Sequence, residues 1–201
     1  MFTGIIQSIG TVESLNGEDL VISPNSNQFL NHEPGTSVAI DGVCLTLRRY
    51  DKKSLNFQVS TESKERSIIK DYENGNNVNL ELPLTMETFL SGHIVQGHVD
   101  TLTTVTDIQK ISDDLWNFFF KNNNFNYLVD KGSITINGVS LTLVNPSEDN
   151  FSVSIIRETF DRTNFNKLKV GSSVNIEFDI MAKYVERALN DKWYQRYNFS
   201  L

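Results

Sequence analysis

The chain has 201 residues, 39% hydrophobic and 21% charged, which fits an ordinary globular protein of one domain or two small ones. Its 25 acidic against 18 basic residues give a net charge of −7, which argues against a nucleic-acid partner, because phosphate binding draws on clustered lysine and arginine. No apolar run reaches bilayer-spanning length, so a helical membrane span is excluded, and the lone Cys44 rules out an internal disulfide. The opening Met-Phe-Thr-Gly-Ile-Ile lacks the basic and long apolar regions of a secretory signal, and a cytoplasmic location is expected.

The pattern along the chain is mostly β. A first strand is expected over 5–12. Val38 and Ile40 alternate before Asp41-Gly42, and Val43, Leu45 and Leu47 alternate after it. Asx-Gly between two alternating runs predicts a tight hairpin, since both turn residues need positive φ. Strands follow over 55–59 and 78–82, with a polar stretch at 63–70 able to hold a short helix. A second short helix is expected over 85–90. Further strands are expected over 99–108 and 115–121. Asn137-Gly138 marks another hairpin, with strands over 151–155 and 174–178 after it. The polar stretch at 159–169 again lies between the last two strands. Met181, Val185, Ala188, Leu189 and Trp193 then fall at helical spacing, which predicts an amphipathic tail helix.

The second half of this pattern restates the first. Ser37-Val-Ala-Ile-Asp-Gly-Val-Cys-Leu-Thr-Leu47 returns as Ser133-Ile-Thr-Ile-Asn-Gly-Val-Ser-Leu-Thr-Leu143, with seven of eleven positions identical at an offset of 96. The same offset carries Glu62-Ser63 onto Glu158-Thr159, Arg66-Ser67 onto Arg162-Thr163, and Val78-Asn-Leu-Glu81 onto Val174-Asn-Ile-Glu177. A period this long, present twice, is a tandem domain duplication. With about six short strands per copy, each half is expected to close into a small barrel. The tail helix has no counterpart in the first copy, so its apolar stripe must be buried on a barrel or on a partner chain.

Function should reside where the copies differ. Cys44 faces Ser140 in the alignment, and Gly35 faces Lys131. Gly4-Ile5 aligns with Gly97-His98 at an offset of 93, so His98 has an isoleucine as its counterpart. Each of these residues also has a plain reading. Cys44 in an apolar strand could be a small buried hydrophobe. His93 and His98 lack a third ligand at metal-binding spacing. Thr46 and Thr142 suit strands. Asp179 could cap the tail helix. Gly4, Gly42, Gly97 and Gly138 could serve turns or close packing. Neither a phosphate loop nor a dinucleotide fingerprint is present.

Four longer stretches narrow the choice: Met1-Phe-Thr-Gly-Ile-Ile6, Gly92-His-Ile-Val-Gln-Gly-His-Val-Asp100, the paired Asp-Gly-Val-Cys-Leu-Thr and Asn-Gly-Val-Ser-Leu-Thr, and Ala182-Lys-Tyr-Val-Glu-Arg187. Together they resemble the riboflavin synthase family, alpha-chain type, over essentially the whole chain. The resemblance implies an all-β fold of two tandem six-stranded Greek-key barrels plus a C-terminal α-helix. The units would be an N-terminal lumazine-binding barrel over 1–93, a C-terminal one over 94–183, and a trimerisation helix over 184–201. The implied reaction is a dismutation of two molecules of 6,7-dimethyl-8-ribityllumazine, without metal or organic cofactor. The implied partners are two further copies in a homotrimer, with the site between neighbouring subunits, and lumazine synthase.

The family's site residues carry over by position. In the first barrel they are Gly4, Ile5 and Ile6; Cys44, Leu45 and Thr46; Gln58, Val59, Ser60, Thr61, Glu62 and Ser63; and Gly97, His98 and Val99. In the second they are Lys131; Ser140, Leu141 and Thr142; and Ile156, Arg157, Glu158, Thr159, Phe160 and Asp161. Phe2, Ser37, Cys44, His98, Thr142 and Asp179 match positions tied to catalysis. Ser63-Lys64-Glu65 departs from a Thr-Leu-Arg-like stretch of the family, and Ile68-Ile69 from Asn-Leu.

Overall fold

The computed structural model describes residues 1–51, 53–123 and 126–190. The first barrel comprises β1 (Ser8–Asn16), β2 (Asp19–Pro24), β3 (Ser37–Ile40), β4 (Val43–Tyr50), β5 (Leu55–Gln58) and β6 (Asn77–Glu81). They close in the order β1-β2-β5-β4-β3-β6. The second comprises β7 (Thr101–Ser112), β8 (Leu115–Lys121), β9 (Ser133–Ile136), β10 (Val139–Val144), β11 (Asn150–Ile156) and β12 (Ser173–Phe178), closed in the equivalent order. Closure removes free sheet edges, and a small barrel fills its interior with side chains.

Alternation decides what fills it. Val43, Leu45 and Leu47 of β4 point inward with Leu20, Ile22 and Phe57, while Cys44 and Thr46 point outward. The second core is richer in rings, with Phe118, Phe120, Phe151 and Phe165 fully buried. The hairpin turns are as expected: Asp41 and Gly42 have φ of 45° and 79°, and Asn137 and Gly138 have 46° and 79°.

Short helices α1 (Thr61–Arg66) and α2 (Arg157–Arg162) bridge the last two strands of each barrel. The tail helix α3 (Ile180–Asn190) opens ahead of the expected boundary at 184, with Asp179 Oδ1 accepting the Met181 N–H at 2.9 Å. Trp193 of the expected stripe lies outside the described residues. Two expectations fail. β2 is absent from the expected strands because the apolar, half-buried Val21 hides its alternation. The helix expected over 85–90 is a turn, held by Thr88 N–H to Thr85 O at 3.2 Å and by paired Thr85 and Thr88 hydroxyls.

The barrels meet across a pseudo-two-fold waist. A Cβ on Gly42 would stand 2.8 Å from Gly138 N, and one on Gly138 would stand 2.7 Å from Gly42 N. Asn79 Nδ2 donates to Asn137 O and Asn175 Nδ2 donates to Asp41 O, both at 2.8 Å. The symmetry breaks at Asp41, whose Oδ2 accepts the Tyr72 hydroxyl at 2.7 Å. Among the described residues the buried Nδ2 of its counterpart Asn137 has no partner, and Leu168 stands at the position equivalent to Tyr72.

Candidate active site

The starts of the two copies are exchanged between the barrels. Phe2 pairs with Val95 in an isolated antiparallel bridge. From there the N-terminal segment runs to the second barrel, where Gly4 O accepts the Ser140 N–H at 2.8 Å and Ile6 joins the second core. The linker runs the opposite way: Gly97 O accepts the Cys44 N–H at 2.8 Å, and Val99 packs on the first core. Gly4, Ile5 and Ile6, expected at the first barrel, therefore belong to the second. Only glycine permits both approaches. A Cβ on Gly4 would lie 2.5 Å from Ser140 Cβ, and one on Gly97 would lie 2.6 Å from Cys44 Cβ.

At the first barrel this crossing builds a cleft of about 330 Å³ between β4, α1 and the linker, lined by Val43, Cys44, Glu62, Ser63, Arg66, Ser67, Gly97, His98 and Val99. Cys44, Glu62, Ser63, Gly97, His98 and Val99 are thus brought together. The offsets of 96 and 93 map this set onto Val139, Ser140, Glu158, Thr159, Arg162, Thr163, Gly4, Ile5 and Ile6 at the second barrel. Arg66 and Arg162 are not among the residues expected from sequence. The signal is there, since the repeat preserves both. Each pairs with the glutamate four residues earlier, Arg66 with Glu62 at 3.2 Å and Arg162 with Glu158 at 2.8 Å.

The site lies on the outer face of the hairpins, because the interiors are packed. Phe2 is fully buried against Ala39, Val95 and Cys44. Ser37 pairs with Thr46, one step along the face from the Ala39–Cys44 pair. Thr142 pairs with Ser133 and Ser140 with Thr135 on the second hairpin. Leu45 and Val59 point into the first core, and Leu141 packs on the second.

Other expected residues stand apart from the cleft. Gln58 is exposed and donates to Glu18 at 2.8 Å. Ser60 caps α1 by accepting the Ser63 N–H, and Thr61 opens that helix. Lys131 has a positive φ of 63° at the far end of the second hairpin from Ser140. Exposed Ile156 precedes α2, in which Arg157 donates to Asp114 at 2.6 Å and sits 3.7 Å from Asp161. Phe160 stacks on Trp116 at 4.1 Å and so packs on the barrel. Of the catalytic set, Phe2, Cys44 and His98 converge, Ser37 flanks them, and Thr142 and Asp179 lie on the second barrel or at its end.

One further residue joins the second barrel's surface. His93 Nδ1 stands 2.7 Å from Ser140 Oγ, and its Nε2 is 3.1 Å from Thr135 Oγ1. Burial holds its pKa below the usual value, with nearby Asp179 pulling back weakly. The imidazole is therefore neutral at pH 7, and beside Ser140 it can accept or pass a proton. The sequence presents His93 as a metal-ligand candidate without a third partner, or as a lone histidine that is hydrogen-bonded or exposed. No group of three potential metal-holding side chains occurs among the described residues.

Two buried carboxylates hold the crossing segments. Glu81 accepts from Thr3 N at 2.7 Å and Gly4 N at 3.0 Å, and Glu177 accepts from Gln96 N at 2.6 Å and Gly97 N at 2.9 Å. Burial raises both carboxyls, Glu177 to about 7, while the backbone donors pull them down.

Comparison with known proteins matches this architecture. A model of the lumazine binding domain matches twice, over residues 3–83 and 96–179. Riboflavin synthase from Chlamydia muridarum is 38% identical over 187 residues, 91% of this chain and 92% of that protein. The enzyme from Actinobacillus pleuropneumoniae is 35% identical over 197 residues, 96% of this chain and 91% of that protein. The chain belongs to the riboflavin synthase family. Among solved structures, LumP complexed with riboflavin superposes with a TM-score of 0.80 at 26% identity, covering 89% of this chain and 99% of that one. LumP complexed with 6,7-dimethyl-8-(1'-D-ribityl) lumazine gives 0.77 at 26% identity, over 88% and 98%. The riboflavin synthase relatives thus span nearly the whole chain.

Proposed function

We propose that the chain converts two molecules of 6,7-dimethyl-8-ribityllumazine into riboflavin and 5-amino-6-ribitylaminouracil by transfer of a four-carbon unit. The observation that carries this reading is the pair of equivalent surfaces related by one duplication and differing at Cys44 against Ser140 and His98 against Ile5. A reaction between two copies of one molecule calls for two like sites that treat their occupants differently. The C7 methyl protons of the substrate are acidic, because the anion spreads into the ring system. The protein then has mainly to hold two rings in attack geometry, which can supply about 7–11 kcal/mol of the barrier.

His98, exposed in the cleft, carries an imidazole able to give or take a proton in the reaction. Cys44, Ser37 or a bound water adds at C7 of the acceptor. Asp179 orients a group or takes a proton. Glu62, Ser63 and Arg66 offer donors and acceptors for the ribityl hydroxyls.

Thr142 and Asp179 stand on the second barrel, away from Cys44 and His98. This supports a site assembled between the first barrel of one subunit and the second barrel of its neighbour in a cytoplasmic homotrimer. Exposed Val129, Met181, Val185 and Leu189 support α3 as the assembly surface. A partnership with lumazine synthase belongs to the same reading.

The test is direct. Purified protein given the lumazine alone, with no added cofactor and under reducing conditions, forms one riboflavin for every two lumazines consumed. Stoichiometric fluorophore binding without turnover would instead establish a carrier, and unconverted, unbound lumazine would end both readings.

A further inference from the structure

Glu81 and Glu177 close the last strand of each barrel, only 2% and 3% exposed. Burying a carboxylate is costly unless hydrogen bonds replace its hydration. Here the replacement is largely backbone from the segment that leads each copy across to the opposite barrel. Glu81 accepts Thr3 N–H, Gly4 N–H and the Thr3 hydroxyl at 2.7, 3.0 and 2.7 Å. Glu177 accepts Gln96, Gly97 and His98 N–H at 2.6, 2.9 and 3.0 Å. Once ionised, each carboxylate matches this cluster of donors, because it has two acceptor oxygens and no donor. An amide would set its NH₂ against a backbone N–H.

The consequence differs between the two ends. The Glu177 segment carries His98, and its Gly97 carbonyl holds the Cys44 N–H at 2.8 Å. The start of the His98 side chain and its approach to Cys44 are thus fixed from the second barrel. A second latch lies alongside. Asp100 Oδ2 accepts the Phe178 N–H at 2.9 Å, as Gln7 Oε1 accepts the Leu82 N–H at 3.0 Å in the first copy. Only Asp100 also pairs with Lys183 of α3, at 2.6 Å and largely shielded from solvent.

We propose that Glu177 is a positioning residue for the first-barrel site, holding His98 against Cys44 across the boundary between the barrels. Glu81 does the corresponding work for Gly4 and Ile5 at Ser140. The catalytic role of His98 rests on the synthase reading above; the clamp itself does not.

The experiment compares full-length Glu177→Gln with Glu81→Gln, an equally buried partner whose carboxylate holds Thr3 and Gly4 and not the Gly97 segment that bonds Cys44. Turnover of 6,7-dimethyl-8-ribityllumazine, thermal melting and the alkylation rate of Cys44 by iodoacetamide are measured on both. For Glu177→Gln, kcat falls about tenfold or more while KM moves less than about threefold, because misplacement of reacting groups acts on the chemical step. Cys44 alkylation changes by about fivefold or more, since thiol reactivity follows access and surroundings, whereas Glu81→Gln stays within about twofold of wild type. Equal alkylation rates in the two variants at matched melting loss overturn the clamp. Unchanged kcat overturns its positioning role.

If neither variant folds, hydrogen exchange on the wild-type chain decides. Gln96, Gly97 and His98 amides protected like strand amides uphold the clamp, and loop-like exchange overturns it. If wild type forms no riboflavin, the synthase reading fails while the alkylation contrast still judges the clamp.

Discussion

At the scale of single residues, the site depends on what two glycines lack. Gly97 has a φ of +80° and abuts Cys44, whereas Gly35 has a φ of +96° with nothing within 4 Å of the Cβ position. Lys131, the counterpart of Gly35, already holds a side chain at a φ of 63°. Gly35→Ala is therefore expected to cost only about 1–2 kcal/mol, the penalty of a left-handed conformation. Gly97→Ala must in addition push the linker off β4 and break the Cys44 N–H bond, at about 3 kcal/mol or more. Thermal melts and riboflavin formation check this: Gly97→Ala loses most activity and melts well below Gly35→Ala. Equal melts for the two variants would show that the Gly97–Cys44 approach is not needed. That Gly4 and Gly97 serve turns or close packing is legible in the sequence. Which barrel each one meets is not, because the exchange of segments is a tertiary event.

At the scale of elements, α3 is unlike the rest. It shows Met181, Val185 and Leu189 more than half exposed on a chain whose barrels bury nearly every large side chain of their cores. A cleft of about 410 Å³ between α3 and residues such as Tyr127 and Val129 continues this apolar surface. Such a face calls for a partner. On the proposed assembly through α3, deleting the residues after Lys183 is expected to leave monomers by light scattering, with loss of turnover. A truncated chain that stays trimeric would assign assembly elsewhere. The stripe of α3 is readable because its period is helical, and the Asx-Gly hairpins because both turn residues favour positive φ. β2 escapes because an apolar residue on its outer side conceals the period. The turn at 85–88 reads as helix because its apolar Met86 and Phe89 suggest a buried face, yet both are exposed. His93 escapes for another reason: Thr135 and Ser140, the residues that give it a role, lie more than forty positions away.

At the scale of the whole molecule, the duplicated halves are joined through an asymmetric waist, and its asymmetry is titratable. Asp41 is 1% exposed, and burial raises its carboxyl from 3.8 to about 7 against the opposing pull of Tyr72, Asn79 and Asn164. Between those limits the folded chain keeps a proton that the unfolded chain has released. This contribution to stability is therefore full below about pH 4 and is lost as pH rises through 7. Each pH unit inside the window removes at most about 1.4 kcal/mol, roughly 3–6 °C of melting temperature for a chain of this size. Glu177, also raised to about 7, adds a loss of the same sign. His93, held low by burial, works in the opposite direction below its ordinary 6.5. Wild type alone would mix these effects, and Asp41→Asn separates them. The variant installs the residue that the second copy carries at Asn137, where it already accepts the Asn175 N–H at 2.8 Å. The melting temperature of Asp41→Asn relative to wild type is expected to climb steadily from pH 5 to pH 7 and then level off. A difference that stays flat across that range would mean that Asp41 is already ionised at the waist and that Tyr72 and Asn164 hold it as a carboxylate.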